Sequence, residues 1–212
     1  MKLSNLFITG CDSNTEWMLP WFVENFKKHT PNANLVIYDF GMEGGWFPEL
    51  RKSLRESGGN GWFKKPLAML KATNLAENIC WIDTDCEVLT NIEDIFDYVI
   101  PNKLSMGVDY PWTARSGEEW HNTGVVAFTG IPPVLTEWNR FVLEEKHRGD
   151  QETLHWMMGN DPLRRLIHID TLPQQYNTLR LDILDGTAPS KIKIMHWTGS
   201  KGKEKIKELM NG

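Results

Sequence analysis

Ile79-Cys80-Trp81-Ile82-Asp83-Thr84-Asp85-Cys86-Glu87-Val88-Leu89 is the stretch on which the reading of this chain turns. Its opening apolar run has the length and composition of a buried strand. Two carboxylates, Asp83 and Asp85, stand one residue apart at the end of that run. In an open α/β sheet, the carboxyl ends of the strands border the crevice where ligands bind. Hard carboxylate oxygens in that place suit Mg²⁺ or Mn²⁺ shared with a substrate's phosphates. Asp-x-Asp after a strand is also ordinary turn chemistry, so the pair needs support from the rest of the chain.

Working outward, strands and helices alternate. Residues 6–9 predict a first strand, followed by a turn over Gly10-Cys11-Asp12-Ser13-Asn14. Ser13 and Glu16 have capping-box spacing for a helix over about 14–29, which Pro20 interrupts. Residues 35–39 predict a second strand. A polar helix is expected over 49–56, ended by Ser57-Gly58-Gly59-Asn60-Gly61. Pro66 opens a helix over about 65–77, since a missing N–H costs nothing in a first turn. The strand 79–83 follows, then a short helix through Phe96 that Thr90 and Glu93 can cap. In the second half, residues 105–109, 123–128, 167–170 and 192–195 predict strands. Residues 110–121 predict a loop. Helices are expected from Pro132-Pro133 to about 146, from Asp150 to about 158, and over 201–210. The alternation implies βαβ units and a mostly parallel sheet flanked by helices in one α/β domain.

Bulk composition narrows the function. The 212 residues carry 41% hydrophobic and 24% charged side chains, an ordinary globular balance. A net charge of −5 argues against nucleic acid as a partner, because such binders show a basic face. Three cysteines without a Cys-x-x-Cys pair exclude a disulfide framework and a structural zinc. No secretory leader or membrane span is legible, so the expectation is a soluble, cytoplasmic protein. Ten tryptophans are many for this length. Trp17, Trp21, Trp81 and Trp138 read as packing residues. Trp62, Trp112 and Trp120 lie in polar or Gly/Pro-containing segments and are candidates for ligand contact.

Ordered motifs run through the chain: Thr9-Gly10-Cys11-Asp12, Trp62-Phe63-Lys64-Lys65-Pro66, Asp83-Thr84-Asp85, Asn122-Thr123-Gly124-Val125, Asp150-Gln151-Glu152 and His196-Trp197-Thr198-Gly199-Ser200-Lys201. Together they resemble the GT-A fold of nucleotide-sugar glycosyltransferases, family 8 in particular. The resemblance implies a nucleotide-binding half over about 1–100 and an acceptor half over about 101–212. It implies transfer from a nucleoside-diphosphate sugar, a UDP-sugar by family habit, to a glycan or other hydroxyl acceptor with retention. Asp83, Asp85 and His196 would ligate the metal, and Asp83 with Thr84 would border the donor. An imidazole beside two carboxylates favours Mn²⁺ over Mg²⁺. Thr9, Asp12 and Thr15 would meet base and ribose. Lys65 would sit near the acidic pair. Gly199 would let backbone approach the diphosphate, and Lys201 or Lys203 would neutralise it; the family's usual lysine position is Gly202 here. Asp150 and Gln151 would lie beside the transferred sugar, with Asp109 as the alternative acid.

Each residue also has a plainer reading. Asp150 follows Gly149 and suits a helix N-cap. Asp12 suits a turn near a helix start. His196 suits a strand end, and the C-terminal lysines suit a solvated helix face. Two other functions share parts of the pattern. Haloacid dehalogenase-like phosphatases place Asp-x-Asp after a strand, with the first Asp as nucleophile, but expect a later Asp-Asp pair that this chain lacks. A non-catalytic sugar-nucleotide binder is the third possibility.

Overall fold

The computed structural model describes residues 2–56, 59, 61–144 and 146–211. β1 (Leu3–Cys11) leads through a 3-10 turn into α1 (Leu19–His29), β2 (Leu35–Asp39) and β3 (Arg51–Ser53). α2 (Lys65–Ala72), β4 (Ala76–Ile82), β5 (Cys86–Val88), β6 (Leu104–Val108), α3 (Tyr110–Ser116) and β7 (His121–Thr129) follow. The order ends with α4 (Pro133–Val142), α5 (Asp150–Met158), α6 (Pro162–His168), β8 (Ile169–Thr171), β9 (Thr178–Leu179), α7 (Arg180–Asp185), β10 (Ile194–His196) and α8 (Gly199–Asn211).

Among the described residues, the main sheet has seven strands in the order β3-β2-β1-β4-β7-β6-β8. β3, β2, β1 and β4 are parallel neighbours. β7 runs antiparallel to β4 and β6, and β8 is parallel to β6. The result is a mixed, mostly parallel sheet, as the alternation of elements implies. Its central strands are covered on both faces, which is why their apolar runs are continuous rather than alternating. Leu6, Ile8, Trp81 and Phe128 pack toward α2, α4 and α5. Phe7, Cys80, Ile82 and Val125 pack against α1 and the segment around Ile95. α1 buries Leu19, Phe22, Val23 and Phe26, an i, i+3, i+4, i+7 stripe.

The chain leaves β1 toward β2 on one side, while β4 lies on the other. The direction of winding reverses between β1 and β4, and a crevice opens beyond their carboxyl ends. A small sheet, β5-β10-β9, closes one side of that crevice. Its antiparallel register sets His196 opposite Cys86. This pairing carries the far end of the chain to the Asp83–Asp85 turn.

Several local expectations give way to tertiary contacts. No capping box forms at Ser13: Glu16 instead accepts from the N–H groups of Glu43 and Gly44. α1 therefore begins at Leu19, with Pro20 in its first turn. β1 continues through Gly10 and Cys11, where a turn was expected. The polar stretch 49–56 is not a helix. Asp39 draws Arg51 (2.5 Å) and Arg55 (2.7 Å) to itself, and Arg51–Ser53 pairs with β2 as an edge strand. Ser57, Gly58 and Asn60, read as the end of that helix, lie outside the described residues. α2 stops at Ala72 because Ala76 pairs with Leu3 and starts β4 early. Asn91 rather than Thr90 accepts from the Glu93 N–H. Residues 110–121 hold α3, capped when Asp109 accepts from the Trp112 N–H and closed by Gly117 at φ +76°. Gly149, not Asp150, is the N-cap of α5. Of the strand expected at 167–170, α6 takes the first two residues, and β8 (Ile169–Thr171) forms the rest. Trp81 and Trp138 are fully buried and Trp21 is half-buried against the core, as packing residues should be, while Trp17 is half-buried at the surface.

Candidate functional site

The crevice has two connected lobes. The first lies over the ends of β1 and β4 and is lined by Asp12, Thr15, Trp62, Thr84 and Lys203, among others. The second extends toward β7, α5 and β10, where Asp109, Trp112, Trp120, Gln151, His196 and Gly199 face it. Trp62, Lys65, Asp83 and Asp85 border both lobes. Both halves of the sequence thus contribute to one cleft.

Asp83 is fixed from three sides. Its backbone N–H donates to the Gly124 carbonyl (2.8 Å). One carboxylate oxygen accepts from the Trp81 indole (2.6 Å), and Lys65 Nζ approaches at 3.0 Å. The same ammonium meets Asp150 Oδ2 at 2.9 Å and donates to the Thr123 carbonyl at 3.1 Å. Lys65 is 3% exposed, so a buried cation ties α2 to β4, β7 and α5. Burial alone would lower its pKa, but Asp150 and Asp83 push it above the ordinary lysine range. Burial raises Asp83 above the usual carboxylate value, with Lys65 opposing the shift.

Asp85 takes the other direction. Burial would raise it, but His196 and Lys203 hold it below the usual range. Its Oδ1 lies 3.2 Å from His196 Nε2. Burial likewise disfavours a charged His196, yet the Asp85 carboxylate outweighs it and raises the imidazole above its ordinary value. The ring is set by a chain of amides. Asn122 Oδ1 accepts from the Gly124 N–H (2.9 Å) and from Asn177 Nδ2 (2.9 Å). Asn177 therefore turns its Oδ1 toward His196 Nδ1, 3.0 Å away, which makes Nδ1 the donor. In a neutral ring this leaves the Nε2 lone pair on the Asp85 side, as an imidazole ligand requires. Gly124 makes room for that ring: a Cβ there would stand 2.1 Å from His196 Cε1.

Ligand atoms of Asp85, Cys86 and His196 lie within 4.8 Å of one another. Burial and the two aspartates push the Cys86 thiol well above its ordinary value, and its side chain belongs to the apolar core. The carboxylate–imidazole pair fits a divalent ion of borderline hardness, with Asp83 at the same cleft.

The other expected residues divide clearly. Asp12 and Thr15 line the first lobe and hydrogen-bond each other (Thr15 Oγ1 to Asp12 Oδ1, 2.9 Å). Thr9 is fully buried in β1 and stands outside the cleft lining, which at that strand end consists of Gly10, Cys11 and Asp12. Gly202 packs against Trp197, since a Cβ would lie 2.0 Å from that carbonyl oxygen. This close approach turns Lys203 to the cleft and leaves Lys201 exposed outside it. Gly199, at φ +74°, opens α8 beside the second lobe, and a 13-residue helix presents its N-terminus there. Asp109, Gln151 and Asn122 form one network: Gln151 Nε2 donates to Asp109 Oδ2 (3.1 Å), and Asn122 Nδ2 to Gln151 Oε1 (3.0 Å). Asn177 escaped sequence reading, because it sits in a short irregular segment without a motif.

No protein-family model and no curated protein matches the chain. Solved structures do. The galactosyltransferase LgtC, in complex with donor and acceptor sugar analogs, is similar at TM-score 0.61 and 13% identity, over 97% of this chain and 95% of that one. A glycosyltransferase involved in the glycosylation of the major capsid of PBCV-1 is similar at TM-score 0.61 and 13% identity, over 99% and 100%. The apo-form glycosyltransferase GlyE of Streptococcus pneumoniae TIGR4 reaches TM-score 0.65 at 15% identity, over 94% of this chain and 55% of that one. The chain therefore has the GT-A glycosyltransferase fold that its motifs resemble.

Proposed function

We propose that this chain is a divalent-metal-dependent glycosyltransferase that moves a sugar from a nucleoside-diphosphate sugar, a UDP-sugar by the family resemblance, to a hydroxyl of a glycan. The observation that carries this reading is the meeting of Asp85 and His196, 111 positions apart in sequence, at 3.2 Å on the wall of a two-lobed cleft. Asp85 and His196 would hold the ion with Asp83 beside them, and Mn²⁺ suits that donor set. When bound, the ion supplies charge neutralisation for the departing diphosphate.

The chain's own groups do the rest. The first lobe takes the nucleotide, with Asp12 and Thr15 beside base and ribose. Lys203 and the N-terminus of α8 favour negative charge at the diphosphate. Asp109 and Gln151 orient the sugar and stabilise positive charge building at its anomeric carbon. Trp112 and Trp120 exclude water from the second lobe and offer apolar faces to the acceptor. Lys65 keeps Asp83 and Asp150 in place through its double ion pair. Retention follows the family 8 resemblance.

The phosphatase alternative needs a free nucleophilic carboxylate on a different fold; here Lys65 and the Trp81 indole occupy Asp83. The test is a panel of nucleotide sugars incubated with Mn²⁺ and a glycan mixture, with released nucleoside diphosphate and sugar transfer read by mass spectrometry. The reading predicts turnover with at least one donor that stops in EDTA. Hydrolysis of p-nitrophenyl phosphate with silence toward every sugar nucleotide would overturn it.

A further inference from the structure

Beyond the second lobe lies another groove, and its walls suit carbohydrate. Trp120 and Glu152 line both it and the catalytic cleft, so the two are continuous across that pair. The far wall is Trp156, 52% exposed. Exposed as it is, this indole is held. Phe141 meets it edge-on (centroids 5.3 Å apart, 76°), and His147 packs at 5.2 Å. Trp120 is fixed too. It stacks on His155 with centroids 3.6 Å apart and planes 6° from parallel, and His155 Nε2 lies 3.0 Å from Glu118 Oε2. The Trp120 indole N–H is buried with no hydrogen-bond partner among the described residues. Buried indole N–H groups usually find one.

Two held indoles and two carboxylates have the composition that recognises a sugar chain. The C–H face of a pyranose packs on an aromatic plane, and its hydroxyls donate to carboxylates such as Glu118 and Glu152. Apolar walls with a few convergent polar groups are the general pattern of a small-ligand site. The carboxylates disfavour uronic or phosphorylated residues, so the fitting occupant is a neutral oligosaccharide.

We infer that this groove is a distal acceptor subsite, in which a neutral sugar unit remote from the reacting hydroxyl rests on Trp156. The inference builds on the proposed transferase activity and adds that the acceptor is an oligosaccharide rather than a monosaccharide. It is tested by binding, independently of turnover. The protein is labelled with 5-fluorotryptophan, and the Trp156 signal is assigned with Trp156→Phe. The probes are neutral mono- to tetrasaccharides of glucose, galactose and N-acetylglucosamine at millimolar concentration. The expected result is a saturable shift of the Trp156 resonance with tri- or tetrasaccharides and none with monosaccharides. Trp156→Ala should weaken that binding by about tenfold, a change of the size one aromatic contact supplies, while metal-dependent nucleotide binding stays unchanged. A Trp156 resonance unmoved by the whole panel, or moved equally by monosaccharides, would overturn the inference. Loss of donor turnover with the Trp156 shift intact would sink the transferase reading and leave a glycan-binding groove.

Discussion

Lys65→Met removes the one buried ammonium that faces Asp83 at 3.0 Å and Asp150 at 2.9 Å. Met keeps the volume and the stem packing, so the lost charge dominates. Breaking a buried ion pair by deleting one partner costs about 3–5 kcal/mol, because the other charge is left uncompensated. Asp83 keeps 25% of its side chain exposed and Asp150 keeps 10%, so water relieves part of the penalty and the low end, about 3 kcal/mol, is expected. For a domain of this length that lowers Tm by roughly 6–12 °C. The pH dependence distinguishes charge from packing. Lys65 has its folded pKa raised, so its contribution is fully present below the unfolded lysine value and fades only in strong alkali. In the variant, Asp83, already raised by burial, loses the cation that opposes the shift and its folded pKa rises further. Carboxylates raised in the folded state favour folding at low pH and oppose it once ionised. The deficit is therefore largest near pH 7 and shrinks toward pH 5. Denaturant unfolding of wild type and variant in EDTA, at both pH values, measures it. A loss under 1 kcal/mol, or an equal loss at both pH values, would refute the ion-pair argument.

Three further outcomes follow from the same geometry. Gly124→Ala drives a Cβ to 2.1 Å from His196 Cε1; it should cost about 1–3 kcal/mol of stability by overpacking and abolish Mn²⁺ binding, measured by titration calorimetry. Asp39→Asn should cost about 2 kcal/mol at pH 7, because Asp39 is held at about 2 by hydrogen bonds from Met42, Arg51 and Arg55 that outweigh its burial. That lowered pKa means the wild-type advantage is present above the unfolded carboxylate value and vanishes as pH falls from about 4 to 2, which acid unfolding curves of the pair will show. Lys203→Ala should weaken nucleoside-diphosphate binding about tenfold while Lys201→Ala leaves it alone, as expected if one ammonium at the diphosphate supplies about 1.4 kcal/mol; equal effects would refute the placement of Lys203 on the cleft.

What was legible in the sequence follows from which forces are local. β2, β4 and β7 could be read because strands covered on both faces must be apolar throughout. The Asp83–Asp85 turn was legible because residue type, spacing and strand end coincide. Residues 49–56 misled because their polar pattern is helical in isolation, while Asp39 captures Arg51 and Arg55 from the next strand. Asp150 looked like a cap and instead meets Lys65, a partner 85 positions away. The choice between Lys201 and Lys203 was set by the backbone contact of Gly202 with Trp197, which leaves no local trace. The Asn122–Asn177–His196 amide chain was equally silent, since orientation of a ring by amides is visible only once the strands are paired.

The central claim is that Asp85 and His196 hold a divalent ion through which a nucleoside diphosphate binds. The most direct measurement is the thermal shift produced by UDP with Mn²⁺ and with EDTA, in wild type and in Asp85→Ala. The account predicts stabilisation of several degrees that needs both UDP and Mn²⁺ and disappears in the variant. An equal shift in EDTA, or a full shift in Asp85→Ala, would contradict it.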